Sequence, residues 1–235
     1  MRLDKYIQEN FLEYTRSKAA DIIKRGFVYV DGKVVTKPGY DLKGHEQIEI
    51  KYDGFASRAG EKLDYAIRLF DVDVKDYVAV DIGASTGGFT DCLLKAGVHE
   101  VYAYDVGKNQ MIERLKNDPR VHSFEETNIL DVKIPKNDIC VIDVSFTSII
   151  PILNHIKDDT NLILFLFKPQ FETQGRGLKK GILKDIKIQR QAIQNITMFI
   201  QSINYRILGF TKSPIEGKDG NEEFLFLIQK GWFNA

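Results

Sequence analysis

The chain has 235 residues, more than one typical domain and fewer than two, so one full domain plus a small module is the natural partition. Hydrophobic residues at 43% can sustain a core and exclude wholesale disorder. The 33 basic and 33 acidic residues exclude a supercharged nucleic-acid coat but leave room for a local basic patch. Cys92 and Cys140 lie in apolar segments and cannot form a disulfide framework, which fits a cytoplasmic protein. Behind Met1-Arg2-Leu3-Asp4-Lys5 no apolar stretch follows, so no secretory signal is expected. The longest strongly apolar run, Leu162 to Phe167, has strand length and falls short of the roughly 20 residues a membrane helix needs. The histidines show no metal-ligand spacing, and no metal is expected.

In chain order, Leu3, Ile7 and Phe11 predict one short helix. A second, capped by Thr15 or Ser17, carries Ala19, Ala20, Ile22 and Ile23 and stops at Gly26. Phe27 to Val30 and Val34-Val35 flank Asp31-Gly32, a tight-hairpin signal, and Ile48 to Ile50 adds a strand. Arg16, Lys18, Lys24 and Arg25 cluster on and around the second helix and offer phosphates a basic face; a solvated helix surface is the competing reading, favoured on charge alone.

From Ser57 onward helices alternate with apolar strands, as in a mostly parallel sheet covered on both faces. A helix is predicted over Glu61 to Phe70. Strands are predicted at Val78 to Ile82, Val101 to Tyr104, Val121 to Phe124, Ile139 to Ile142 and Leu162 to Phe167. A helix follows between Asp185 and Asn204, and Arg206 to Phe210 with Phe224 to Ile228 reads as an antiparallel pair ending the sheet.

The segment from Val80 through Gly83, Gly87 and Gly88 to Phe89 ends a strand, turns on glycine and opens a helix, bringing backbone close to a ligand at the carboxyl edge. Its G-x-x-x-G-G spacing departs from both the dinucleotide fingerprint and the P-loop. Asp105 ends the next strand, about where an acid holds ribose hydroxyls in doubly wound folds. Together they favour an adenosine-containing cofactor.

The segments Asp81 to Asp91, Asp143 to Phe146, Lys168 to Glu172 and Gly220 to Phe224 resemble the TlyA or haemolysin A family, itself similar to FtsJ-type ribose methyltransferases. Residues 1 to about 52, with Arg16-Ser17-Lys18-Ala19, are similar to the small RNA-binding fold named after a ribosomal small-subunit protein. The resemblance implies a Rossmann-like α/β methyltransferase domain over residues 55–235, a mostly parallel seven-stranded sheet with an antiparallel final strand. A small α+β RNA-binding domain over residues 1–54 precedes it. It further implies S-adenosylmethionine as cofactor, with Asp81, Gly83, Ser85, Thr86, Gly87 and Gly88 around its methionine and ribose part, Asp105 on the ribose hydroxyls and Asn128 near adenine. The catalytic tetrad carries over as Lys62, Asp143, Lys168 and Glu223. Glu222 competes for the fourth place, but Asn221 and Phe224 frame Glu223.

The implied reaction is methylation of a ribose 2′-hydroxyl, with a cytidine in ribosomal RNA as target and ribosomal RNA or subunits as partner. Lys168 would act as a neutral base if desolvation and Lys62 lower its proton affinity, or as a cation stabilising an alkoxide; the orienting carboxylates oppose the first. Arg176, Lys179 and Lys180 belong to a glycine-rich, flexible basic loop beside Lys168 that fits RNA phosphates. Two other classes compete: a membrane-active haemolysin, which lacks here the apolar segment it needs, and a catalytically inactive RNA-binding scaffold, against which the intact tetrad and glycine turn argue.

Overall fold

The computed structural model describes residues 1–11, 14–217 and 220–231. Two helices, α1 (Leu3–Asn10) and α2 (Arg16–Lys24), precede a three-stranded antiparallel sheet. That sheet has β1 (Val28–Val30) between β2 (Lys33–Val34) and β3 (Ile48–Ile50). Thr15 caps α2 by accepting from the Lys18 amide, which supplies one of the partners a helix start lacks. Asp31 and Gly32, both at positive φ (49° and 73°), form the two-residue turn that pairs Val30 with Lys33. Leu3, Ile7, Ala19, Ile22, Ile23, Val28, Val30 and Leu42 close a small separate core.

The larger unit opens with α3 (Arg58–Leu69), which Ser57 caps. Strand and helix then alternate through β4 (Val78–Ile82), α4 (Gly88–Lys95), β5 (Glu100–Tyr104), α5 (Glu113–Lys116) and β6 (Val121–Phe124). The alternation continues through β7 (Ile139–Ile142), α6 (Ile150–Ile156), β8 (Leu162–Phe167) and the short α7 (Pro169–Glu172). A ribbon of β9 (Leu178–Lys179) and β10 (Ile182–Leu183) precedes α8 (Ile186–Ser202), β11 (Tyr205–Lys212) and β12 (Phe224–Lys230). Seven strands form one sheet in the order β11-β12-β8-β7-β4-β5-β6.

Side chains alternate across this sheet with period two. Ala79, Val101, Val141, Leu164, Leu166 and Leu225 face the helices α3 and α4, whereas Val80, Ile142, Ile163, Phe165, Phe226 and Ile228 pack with α6 and α8. Because both faces are covered, β7 and β8 are apolar throughout, and β4 is apolar but for Asp81. The antiparallel last strand is not an outer addition: β12 is inserted between β8 and β11, where Phe165 and Phe226 stack at 5.1 Å.

This insertion positions the site. The parallel strands β4, β7 and β8 all end at one edge of the sheet, so the residues that follow them, Gly83, Asp143 and Lys168, emerge there together. Strand β12 runs the other way and pairs Phe224 with Phe167, so its beginning, Glu223, reaches that same edge beside Lys168.

Candidate functional site

Lys62, Asp143, Lys168 and Glu223 line one cavity of about 640 Å³, together with Gly83, Ser85 and Thr86 of the glycine turn. The four charges form two pairs. Lys168 Nζ stands 2.6 Å from Asp143 Oδ1 and donates to Ser145 Oγ at 2.9 Å. Asp143 Oδ1 is covered, so this ion pair is shielded from solvent on the carboxylate side. Lys62 Nζ, carried by α3, donates to Glu223 Oε2 at 2.5 Å, both side chains buried. Glu222 turns away to Lys212 and Gln189 and does not line the cavity.

The glycine turn is a close approach of backbones. A Cβ on Gly83 would fall 2.6 Å from the Asp143 carbonyl oxygen, and Gly83 itself holds a positive φ of 83°. A Cβ on Gly88 would fall 2.1 Å from Ser57 Oγ, so this position admits α4 against the start of α3. Gly87, at a positive φ of 92°, begins α4, and the Asp81 carboxylate behind the turn engages the Thr90 backbone in the helix's first turn. Asp105 braces the turn: its carboxylate accepts from the amides of Ser85 at 2.8 Å and Gly107 at 2.6 Å.

The residues expected around a cofactor do not all face the cavity. Asp81 is fully buried behind the turn, where its Oδ2 accepts from Thr90 Oγ1 at 2.6 Å and its Oδ1 has no partner. Burial, reinforced by the charges of Asp143 and Asp105 and opposed by the Thr90 hydrogen bond, pushes its carboxyl up to about 7. Its placement is that of a support for the turn rather than a contact. Gly87 and Gly88 likewise shape the cradle without lining the cavity, whereas Asp105 is half-buried beside it, with part of its carboxylate still accessible. Asn128 is exposed past β6 and caps a short 3-10 turn by accepting from the Leu130 amide.

Of the four basic residues around α2, Arg16, Lys24 and Arg25 are exposed, and Lys18 is not, contrary to the sequence expectation. Lys18 is buried and donates to Tyr52 Oη at 2.5 Å, with burial pushing its ammonium down to about 8. Arg25 is engaged by Glu61 of α3 at 2.5 Å, and Arg16 stands 3.5 Å from Asp4. Lys24 is exposed. Lys18 and Arg25 thus serve the junction between the two units, where Lys95 also donates to the carbonyls of Asp53 and Gly54 and Asp91 accepts from the Ala56 amide. The glycine-rich basic segment folds as the β9–β10 ribbon, with Lys179 and Lys180 exposed and Arg176 donating to the Thr173 carbonyl.

Sequence reasoning missed Ser145, Phe146 and Gln170 on the cavity wall. Phe146 is 90% exposed at a positive φ of 64°, its ring 5.3 Å from that of Phe171. Its place three residues after Asp143 was the available signal.

A doubly wound sheet with a glycine cradle and paired lysines and acids at its carboxyl edge defines a methyltransferase of the FtsJ-like family. The chain belongs to that family, whose match runs over residues 55–230, and an S4 domain matches residues 1–48. Hemolysin A of Brachyspira hyodysenteriae is 43% identical to it, across 96% of this chain and 98% of that protein. The 16S/23S rRNA (cytidine-2'-O)-methyltransferase TlyA of Mycobacterium tuberculosis is 31% identical, across 97% of this chain and 89% of its own length. A solved structure from Streptococcus thermophilus, whose name also contains the word hemolysin, shares the fold with a TM-score of 0.76 at 33% identity, covering 98% of this chain and 88% of the other. The family resemblance drawn from the motifs is thereby borne out.

Proposed function

We propose that this chain transfers a methyl group from S-adenosylmethionine to the 2′-hydroxyl of a cytidine in ribosomal RNA. On this reading residues 1–54 are an RNA-capture module and residues 55–235 the catalytic domain. The observation that carries it is the Lys168–Asp143 pair, held in the same cavity as the glycine turn. The cradle fits the cofactor, because Gly83, Ser85 and Thr86 bring the backbone of the turn to the wall of the cavity that also holds Asp143 and Lys168. Gly83, Ser85 and Thr86 would hold its methionine and ribose part, Asp105 its ribose hydroxyls and Asn128 its adenine end, with Asp81, Gly87 and Gly88 fixing the turn. When bound it supplies a methyl already activated by a sulfonium.

The chain's own task is then to orient one oxygen and manage one proton. Lys168 Nζ meets the acceptor hydroxyl, Asp143 fixes that nitrogen, and Lys62 with Glu223 supplies the second charged pair. Base-nitrogen methyltransferases commonly grip an exocyclic amine with an Asn/Asp-Pro-Pro-aromatic turn, and Asp143-Val144-Ser145-Phe146 carries no proline in that place. Two lysines with two acids suit an alcohol, and RNA offers one in its 2′-hydroxyl. The names of the curated relatives support ribosomal RNA and cytidine as the substrate. Among the described residues no helix is long and apolar enough to cross a membrane, so nothing there favours the haemolysin reading.

A 2′-deoxy target nucleotide in otherwise unchanged ribosomal RNA should abolish methyl uptake while RNA binding survives. Mass spectrometry of the digested product should place the methyl on the sugar; a methylated base would overturn the ribose assignment.

A further inference from the structure

Asn221 lies two residues before Glu223, is 5% exposed and lines the cavity. Both ends of its amide are spent on the β9–β10 ribbon. Its Oδ1 accepts from the Leu183 amide at 2.9 Å, and its Nδ2 donates to the Gly181 carbonyl at 2.9 Å. One acceptor and one donor are thus used on a single strand end, a pattern that fixes the orientation of the amide.

The ribbon needs such a fastening. Its strands are two residues each, joined by a turn at Lys180 and Gly181 with φ of 50° and 79°, and a ribbon this short does not hold itself together in water. Leu183 is its only residue buried below a tenth. Yet the ribbon is part of the site: Leu178 and Gly181 line the cavity, and Lys179 and Lys180 stand exposed at its tip. The Asn221 carbonyl also accepts from the Gly217 amide at 2.9 Å, and a Cβ on Gly217 would fall 2.6 Å from Glu223 Oε1.

We infer that Asn221 is a positioning residue for the RNA substrate: it pins the Lys179–Lys180 ribbon over the cavity so that these lysines meet the phosphates flanking the target ribose. The inference rests on the proposed RNA methylation. An aspartate in its place would set a carboxylate against the Gly181 carbonyl, and an alanine would release both ribbon contacts.

The test uses the full chain and ribosomal RNA carrying the target, with Asn221→Ala, Asn221→Asp, the pair Lys179→Ala/Lys180→Ala, and the triple combination. Asn221→Ala and Asn221→Asp should each raise KM for RNA about tenfold, with a smaller change in kcat and cofactor affinity within a few-fold. The lysine pair should weaken RNA binding and flatten its salt dependence by about two in the log–log slope, one for each lost phosphate contact. In the Asn221→Ala background the same two lysine changes should do little more, because the ribbon is already released. Full additivity, or a loss confined to kcat with KM and salt slope unchanged, would overturn the inference and leave Asn221 as a support for Glu223. Absence of ribose methylation by the unaltered chain would strike the proposed function instead, and the binding measurements would still decide the role of Asn221.

Discussion

Lys62 and Glu223 stand 161 positions apart in the chain, yet their Nζ and Oε2 atoms lie 2.5 Å apart inside the cavity wall. Truncating one member of such a buried pair leaves the other charge unpaired, at a cost of about 3–5 kcal/mol, whereas replacing both with apolar groups is often neutral. Lys62→Met and Glu223→Leu should therefore each lower the melting temperature clearly, and the double variant should recover most of the loss. Methyl transfer should stay abolished in all three. A stable double variant that still methylates RNA would reduce the pair to a structural role.

Lys168 differs, because its nitrogen also reaches Ser145 and the open cavity. Lys168→Ala should abolish methylation while cofactor affinity, measured by calorimetry, changes by no more than a few-fold. Near-normal turnover of Lys168→Ala at saturating RNA would remove Lys168 from the chemistry.

Asp81 carries a pH signature in stability. Its carboxyl is raised from 3.8 to about 7, chiefly by burial. The folded state thus holds the proton more tightly than the unfolded chain, and the associated stability is complete below about 4 and lost as pH rises toward 7. Asp81→Asn keeps the shape and removes the titration. Denaturant unfolding should show the unaltered chain losing stability against Asp81→Asn between about pH 4 and 7, by a few kcal/mol at most. Parallel curves for the two proteins across that range would show that Asp81 does not titrate there.

The strands of the sheet were legible because each rests on local signals. Runs such as Leu162 to Phe167 are apolar on both faces, and turns such as Asp31-Gly32 need a positive φ, so period and turn chemistry point to the same elements. Residues at strand ends, Asp143 and Lys168 among them, could be placed at the carboxyl edge from topology alone. What depends on distant partners was not legible. Lys18 reads as a surface cation until Tyr52, 34 positions away, covers it, and Arg25 reads as free until Glu61 meets it across the junction. The insertion of β12 between β8 and β11 is a register outcome, and with it came the contact of Asn221 with the β9–β10 ribbon. Asp81, an acid beside a glycine turn, reads as a ligand contact; only its complete burial shows it as a support.

Phe146 leaves a large aromatic side chain in water on a backbone conformation that L-residues other than glycine and asparagine seldom adopt. Such a position contributes little to folding, so Phe146→Ala should change the melting temperature by less than the effect of about 0.5 kcal/mol typical of surface changes. Its location gives it another use, because it stands on the rim of the cavity beside Phe171, three residues beyond Asp143. A base stacked on an aromatic ring is held by about 1–3 kcal/mol, sequence-tolerant because every base has a flat face. Phe146→Ala should then raise KM for RNA by about tenfold or more, while Phe146→Tyr or Phe146→Trp keeps most of the affinity. Cofactor affinity should not move in any of the three. Steady-state methyl transfer with varied RNA, run beside thermal unfolding, separates these effects, and an unchanged KM for Phe146→Ala would show that the exposed ring does not hold the substrate.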